Sequence, residues 1–187
     1  MNKKIQNDFY KKYTDKVVPE LMKEFGIKNP HDLPELKKVV VNMGLKNAKS
    51  DKAMIEEATE TLTVITGQKP VVTKARKSIS NFSIREGFPV GCMVTLRGAR
   101  MYDFLEELLR IVLPRIRDFS GIKKSFDKNG NMSIGLSDES IFPEINPDKI
   151  KSSKGLNITA VIKTDSREKS VRMMELLGFP FEKKLIK

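Results

Sequence analysis

Apolar residues recur at four-residue spacing through Ile5, Phe9, Tyr13, Val17, Leu21 and Phe25, on one slowly drifting face, which predicts a helix from about Asn2 to Phe25. Gly26 would end it. Pro19 lies inside, and because proline lacks an amide donor and its ring collides with the preceding turn, this helix is expected to kink or split. The valine-rich "LKKVVVNMG" (36–44), closed by glycine, predicts a strand. Over 51–66, Met54, Ile55, Ala58, Leu62 and Ile65 fall at helical spacing, with Ser50 or Asp51 as cap and Gly67 as stop. "PVVTKAR" (70–76) alternates Val71, Thr73 and Ala75 with Val72, Lys74 and Arg76, the pattern of a strand with one buried and one cationic face. "VGCMVTLRG" (90–98) alternates Val90, Cys92, Val94 and Leu96 with Gly91, Met93, Thr95 and Arg97, a second strand by the same logic.

Between these two strands, "KSISNFSIREGF" is polar and basic, has no clear period and exceeds the usual hairpin loop. Residues 101–116, with Met101, Phe104, Leu105, Leu108, Leu109, Val112 and Ile116, form the cleanest amphipathic helix, running into Pro114 near its end. Strands are expected at 131–137, with Met132, Ile134 and Leu136 on one face, and at 156–164. Asp165 and Glu168 resemble a capping box for a last helix carrying Val171, Met174 and Leu177, stopped by Gly178 and Pro180. The order is that of an α+β fold with a mostly antiparallel sheet and helices packed on one face. The other sheet face would be free for Lys74, Arg76, Thr95 and Arg97. One domain over 1–187, with a long basic loop at about 76–88, is the expected organisation.

Charge changes this picture from a generic fold to a binding surface. The chain of 187 residues carries a net +11, and residues 69–100 hold seven cations (Lys69, Lys74, Arg76, Lys77, Arg85, Arg97 and Arg100) against the single acid Glu86. Such a concentration attracts a polyanion, because neutralised phosphates release counterions. Nucleic acid is the first candidate and an anionic membrane surface the second. No apolar run approaches the length of a spanning helix and no signal-peptide core follows Met1, so a cytosolic, soluble protein is expected.

Other chemistry finds little support. One cysteine, Cys92, and one histidine, His31, offer neither an internal disulfide nor a zinc cluster, and no metal or cofactor is expected. No phosphate-binding glycine motif occurs at a strand-to-helix junction. A buried strand thiol and a surface histidine account for Cys92 and His31 without catalysis. Glu56/Glu57 and Glu106/Glu107 read as solvated helix faces. An RNA-modifying enzyme would need a pocket of convergent titratable groups, and a generic nucleic-acid binder would show charge without RNA preference. What remains is a basic strip beside polar residues able to position RNA: Asn42, Gln68, Ser78 and Thr95.

The blocks "VVVNMG", "GQKPVVTKARKSI", "PVGCMVTLRGARMYDFLEELL", "PRIRDF", "IFPEI" and "LLGFPF" resemble, in order and over almost the whole chain, the bacterial large-subunit ribosomal protein L-five family. Only "LIK" at 185–187 looks like an addition. The resemblance implies a non-enzymatic 5S rRNA-binding protein that fixes 5S to 23S rRNA in the central protuberance, in the cytoplasm, beside other 5S-binding large-subunit proteins. It implies 5S contacts at Asn42, Gln68 and Thr95, flanked by Lys69 and Arg97. It further implies that Lys74, Ala75, Arg76, Lys77 and Ser78 form the tip region of a loop reaching the elbow of the peptidyl-site tRNA. A bridge to the small-subunit protein S-thirteen is implied near 130–148. Ser83 and Met93 stand where relatives often carry lysine, and Ser137, Asp138, Glu139 and Ser140 replace the usual approach to the bridge.

Overall fold

The computed structural model describes residues 7–45, 52–146 and 153–182. Five strands, β1 (Glu35–Gly44), β2 (Val71–Lys74), β3 (Pro89–Leu96), β4 (Met132–Leu136) and β5 (Leu156–Lys163), form one antiparallel sheet in the order β2-β3-β1-β5-β4. The α+β expectation holds. The chain gathers into two compact units, one from the residues up to Val39 with Arg97–Ile134 and those from Thr159 on, the other from Val40–Leu96 and Gly135–Ile158.

In the first unit, α1 (Asp8–Lys12) starts where the Asn7 side chain accepts from the Phe9 amide at 2.6 Å, and α2 (Val18–Phe25) ends at Gly26 in the left-handed conformation. Between them, Tyr13–Val17 is a π-helical turn. The expected break at Pro19 thus takes the form of a widened turn immediately before the proline. The same device recurs in the second amphipathic helix, where α4 (Ala99–Glu107) passes into a π-helical turn, Leu108–Val112, and then a 3-10 turn, Leu113–Arg115, containing Pro114. In both, the proline follows the π segment by two residues. Its missing N–H and its ring would each disturb the α ladder one turn back, and the wider turn accommodates both.

The helical stripes are buried as expected: Phe9, Tyr13, Val17 and Leu21 on one, Met101, Phe104, Leu105, Leu108 and Val112 on the other. At about 1.5–3 kcal/mol for each fully buried large side chain, these stripes dominate the unit's stability. The last helix, α5 (Arg167–Leu177), is capped by Ser166, whose hydroxyl accepts from the Lys169 amide at 3.4 Å, and not by Asp165. Asp165 instead pairs with the Lys169 ammonium at 3.0 Å. Ile5, the expected cap at Ser50 or Asp51, and the "LIK" tail lie outside the described residues.

In the second unit, α3 (Lys52–Thr66) lies against β3 and β2, with Ala58, Leu62 and Ile65 buried. Cys92, Val94 and Leu96 are buried on β3, and the Thr59 hydroxyl reaches the Cys92 sulfur at 3.5 Å. His31 is exposed and Cys92 buried, as the sequence suggests. Among the described residues, no group of three or more His, Cys, Asp or Glu side chains could hold a metal ion.

Both acidic pairs depart in part from expectation: Glu106 and Glu107 are half-buried, with Glu106 paired to Arg110 at 2.6 Å. Glu57 is not a solvated-face residue: it accepts at 2.9 Å from Lys154, which is 6% exposed. Lys154 also lies 3.5 Å from Glu139, a residue with no exposed surface. Burial raises the Glu139 carboxyl above the ordinary carboxylate range, with Lys154 opposing the shift.

A candidate nucleic-acid interface

Two of the polar residues singled out from the sequence, Asn42 and Thr95, fall on the sheet side turned away from the buried layer. On β1, Val41 and Met43 are buried while Asn42 between them is exposed. On β3, the adjacent strand, Thr95 is half-buried between the buried Val94 and Leu96. The join is tight: Leu45 donates its amide to the Val90 carbonyl at 3.0 Å, and a Cβ at Gly91 would collide with the Met43 carbonyl oxygen. Glycine there lets β3 lie close against β1.

Gln68 reaches this surface from the end of α3. Gly67, with φ of +61°, turns the chain out of the helix, and Thr66 donates its hydroxyl to the Leu62 and Gln68 carbonyls at 2.6 and 3.1 Å. Gln68 Nε2 then donates to the Thr95 carbonyl at 3.2 Å. Gln68 and Thr95, two of the four polar residues, are therefore joined directly. The held amide keeps its carbonyl oxygen and second N–H for a partner. Lys69 is exposed beside it. Arg97, also exposed, follows β3 by one residue and belongs to the other unit.

The basic stretch differs from its expected form. β2 ends at Lys74, so Arg76 lies beyond the strand and is not part of a cationic strand face. The parity is also inverted: Val72 pairs with the buried Cys92, whereas Val71 pairs with Met93 and is 66% exposed. The register slips between Thr73 and Lys74. Two adjacent valines give alternation no preferred phase, and the slip breaks any phase carried in from Ala75.

The loop at 76–88 is not aperiodic either. Ala75 donates to the Phe88 carbonyl at 2.8 Å and Gly87 to the Ala75 carbonyl at 3.0 Å, while Ile79 and Ile84 exchange both amide bonds at 2.8 and 3.1 Å. Ser78 Oγ accepts from the Glu86 amide at 3.0 Å. This is a laddered hairpin closed by a 3-10 turn, Ser80–Phe82, and by Ser83 in the left-handed region. Lys74–Ser78 therefore form one limb, and the tip is Ser80–Ser83. Lys74, Arg76, Lys77 and Ser78 are exposed and Ala75 is half-buried. Alternation reasoning also missed Ile79 and Phe82, which are 46% and 70% exposed. Three apolar residues, Ile79, Phe82 and Ile84, set among polar ones in the loop were the available signal.

A sheet face with directional polar groups, next to a hairpin of exposed cations, defines an α+β protein equipped to meet a polyanion. Residues 29–85 match the family model for ribosomal protein L5, and residues 89–181 match the model for the C-terminus of the same ribosomal family. The chain is 53% identical over 173 residues to the large ribosomal subunit protein uL5 of Fervidobacterium nodosum, covering 92% of this chain and 94% of that one. Identity is 51% over 172 residues to the uL5 of Thermotoga maritima, covering 91% and 94%. With the uL5 of Thermus aquaticus it is 50% over 174 residues, covering 92% and 96%. The chain belongs to the ribosomal protein L5 family. It is a structural constituent of the large ribosomal subunit, associated with rRNA, and not an enzyme.

Proposed function

We propose that the protein binds 5S rRNA through Asn42, Gln68 and Thr95, with Lys69 and Arg97 on flanking phosphates, and so anchors 5S to 23S rRNA in the central protuberance. The observation that carries this reading is the Gln68 to Thr95 bond at 3.2 Å, which sets a directional amide beside the exposed side of β3, next to the strand that bears Asn42. Lys and Arg hold phosphates without reading sequence, whereas fixed amide and hydroxyl groups select exposed loop bases and the 2′-hydroxyl. Gln68→Ala and Thr95→Ala are expected to weaken 5S binding more than binding to an unrelated structured RNA. Equal losses on both would refute their role.

The same proposal gives the limb Lys74, Ala75, Arg76, Lys77 and Ser78 to the peptidyl-site tRNA. Replacing Lys74, Arg76 and Lys77 with glutamine should leave 5S assembly intact and speed tRNA dissociation from the peptidyl site. An unchanged dissociation rate would count against it. A bridge to the small-subunit protein S-thirteen near 130–148 completes the reading. There Glu139 is buried, so among the described residues a contact in that segment falls on the half-buried Asp138 and Ser140 and their exposed neighbours, while 147 and 148 lie outside the described residues.

A further inference from the structure

Of the five large hydrophobic side chains that stand exposed among the described residues, Val71, Ile79 and Phe82 fall within residues 71–82. Phe82, 70% exposed, sits on the closing turn of a hairpin whose limbs are fixed by paired amide bonds at Ile79 and Ile84. Left in water, that ring forgoes the burial a phenylalanine normally gains. Its surroundings state which kind of surface can cover it. The limbs carry exposed Arg76, Lys77 and Arg85 against the single acid Glu86, so the field at the tip repels basic proteins and favours phosphate.

We infer that Phe82 is an aromatic platform for RNA, stacking on an unpaired or loop-exposed nucleobase while Arg76, Lys77 and Arg85 hold the neighbouring phosphates. The inference rests on the reading that this hairpin faces RNA, and it adds a contact at the tip to the cationic limb. Single-stranded and looped RNA is recognised by aromatic side chains that stack on splayed bases, and the stacking tolerates any sequence. A rigid hairpin suits the task. The ladder bonds and the Ser83 to Ser80 bond at 2.8 Å order the turn before RNA arrives, which lowers the entropic cost of the contact.

The chain contains no tryptophan, so Phe82→Trp creates a single fluorescent reporter at the tip. At low salt the basic surface binds RNA of any sequence, and the emission then reports whether the tip meets a base. An adenine-rich single-stranded oligoribonucleotide should quench the emission, whereas an RNA duplex of equal length should bind with little quenching. In the unlabelled chain, Phe82→Ala should weaken the single-stranded oligonucleotide by roughly five-fold or more, Phe82→Tyr should restore it, and Phe82→Leu should not. Absent quenching at saturating RNA, with affinity still falling on Arg76→Gln and Lys77→Gln, would overturn the stacking contact and leave the RNA-facing hairpin standing. Absent quenching with affinity indifferent to those charges would remove both. A blue shift on anionic phospholipid vesicles without quenching by RNA would assign the tip to a membrane surface and overturn the inference.

Discussion

Two groups of cations in the second unit are handled in opposite ways. Lys154 is enclosed, with 4% of its side chain exposed, and is held by Glu57 at 2.9 Å and Glu139 at 3.5 Å. Lys69, Lys74, Arg76, Lys77 and Arg85 stand in solvent, and among the described residues none of them makes an ion pair. A buried ammonium without partners costs several kcal/mol, so Lys154 is committed to the fold. An exposed, unpaired cation costs almost nothing and keeps its charge for a phosphate. The difference separates charges that hold the protein together from charges left free for the RNA contacts proposed above.

The comparison breaks most visibly at Lys154. Lys154→Met leaves Glu139 buried beside no cation and should cost about 3–5 kcal/mol of unfolding free energy near neutral pH. Urea titration checks the size, and repeating it in mild acid sharpens it, because Glu139 can then take up a proton and the penalty should shrink. Gly91→Ala should cost about 1–3 kcal/mol through the collision with the Met43 carbonyl, read as a drop in Tm. Packing, and not charge, fixes the base of the hairpin.

Glu139→Gln should have a smaller effect, seen mainly in how stability depends on pH. The folded-state pKa of Glu139 lies above its unfolded value, so the native state holds more protons in the interval between them. Stability contributed by this group is present below that interval and falls as pH rises through it. Glu139→Gln should flatten that fall, and an unchanged slope would show that Lys154 fully compensates the buried carboxylate. The smallest stability effect belongs to the hairpin: replacing Lys74, Arg76 and Lys77 together with glutamine should stay within about 0.5 kcal/mol of the parent. A larger loss would mean that these cations serve the fold after all.

The order of helices and strands was legible because long stripes such as Met101 to Val112 and clean alternations such as Leu156 to Ile162 are set by burial alone. The break at Pro19 was legible in position but not in form, since the π-helical turn is a backbone response that no side-chain pattern encodes. β2 was misread for want of length: four residues with two adjacent valines cannot fix a parity that a register slip then alters. The buried cluster escaped because its members are distant in sequence, with Glu57 and Lys154 brought together only by the fold. At the interface, composition pointed to Lys74, Arg76 and Lys77, but it gave no sign that the Gln68 amide is bound to the Thr95 carbonyl. It also gave no sign that the hairpin tip lies at Ser80–Ser83, which depends on the pairing of Ile79 with Ile84.

The most direct test of a directional 5S interface is binding of the purified protein to 5S rRNA and to an unrelated structured RNA of equal length, across a salt series. A preference for 5S that persists at physiological salt is expected, with the logarithmic slope counting phosphate contacts at roughly 0.7–0.9 each. Equal affinities for the two RNAs, both vanishing as salt rises, would reduce the surface to a basic patch and contradict a role for Asn42, Gln68 and Thr95 in selecting 5S.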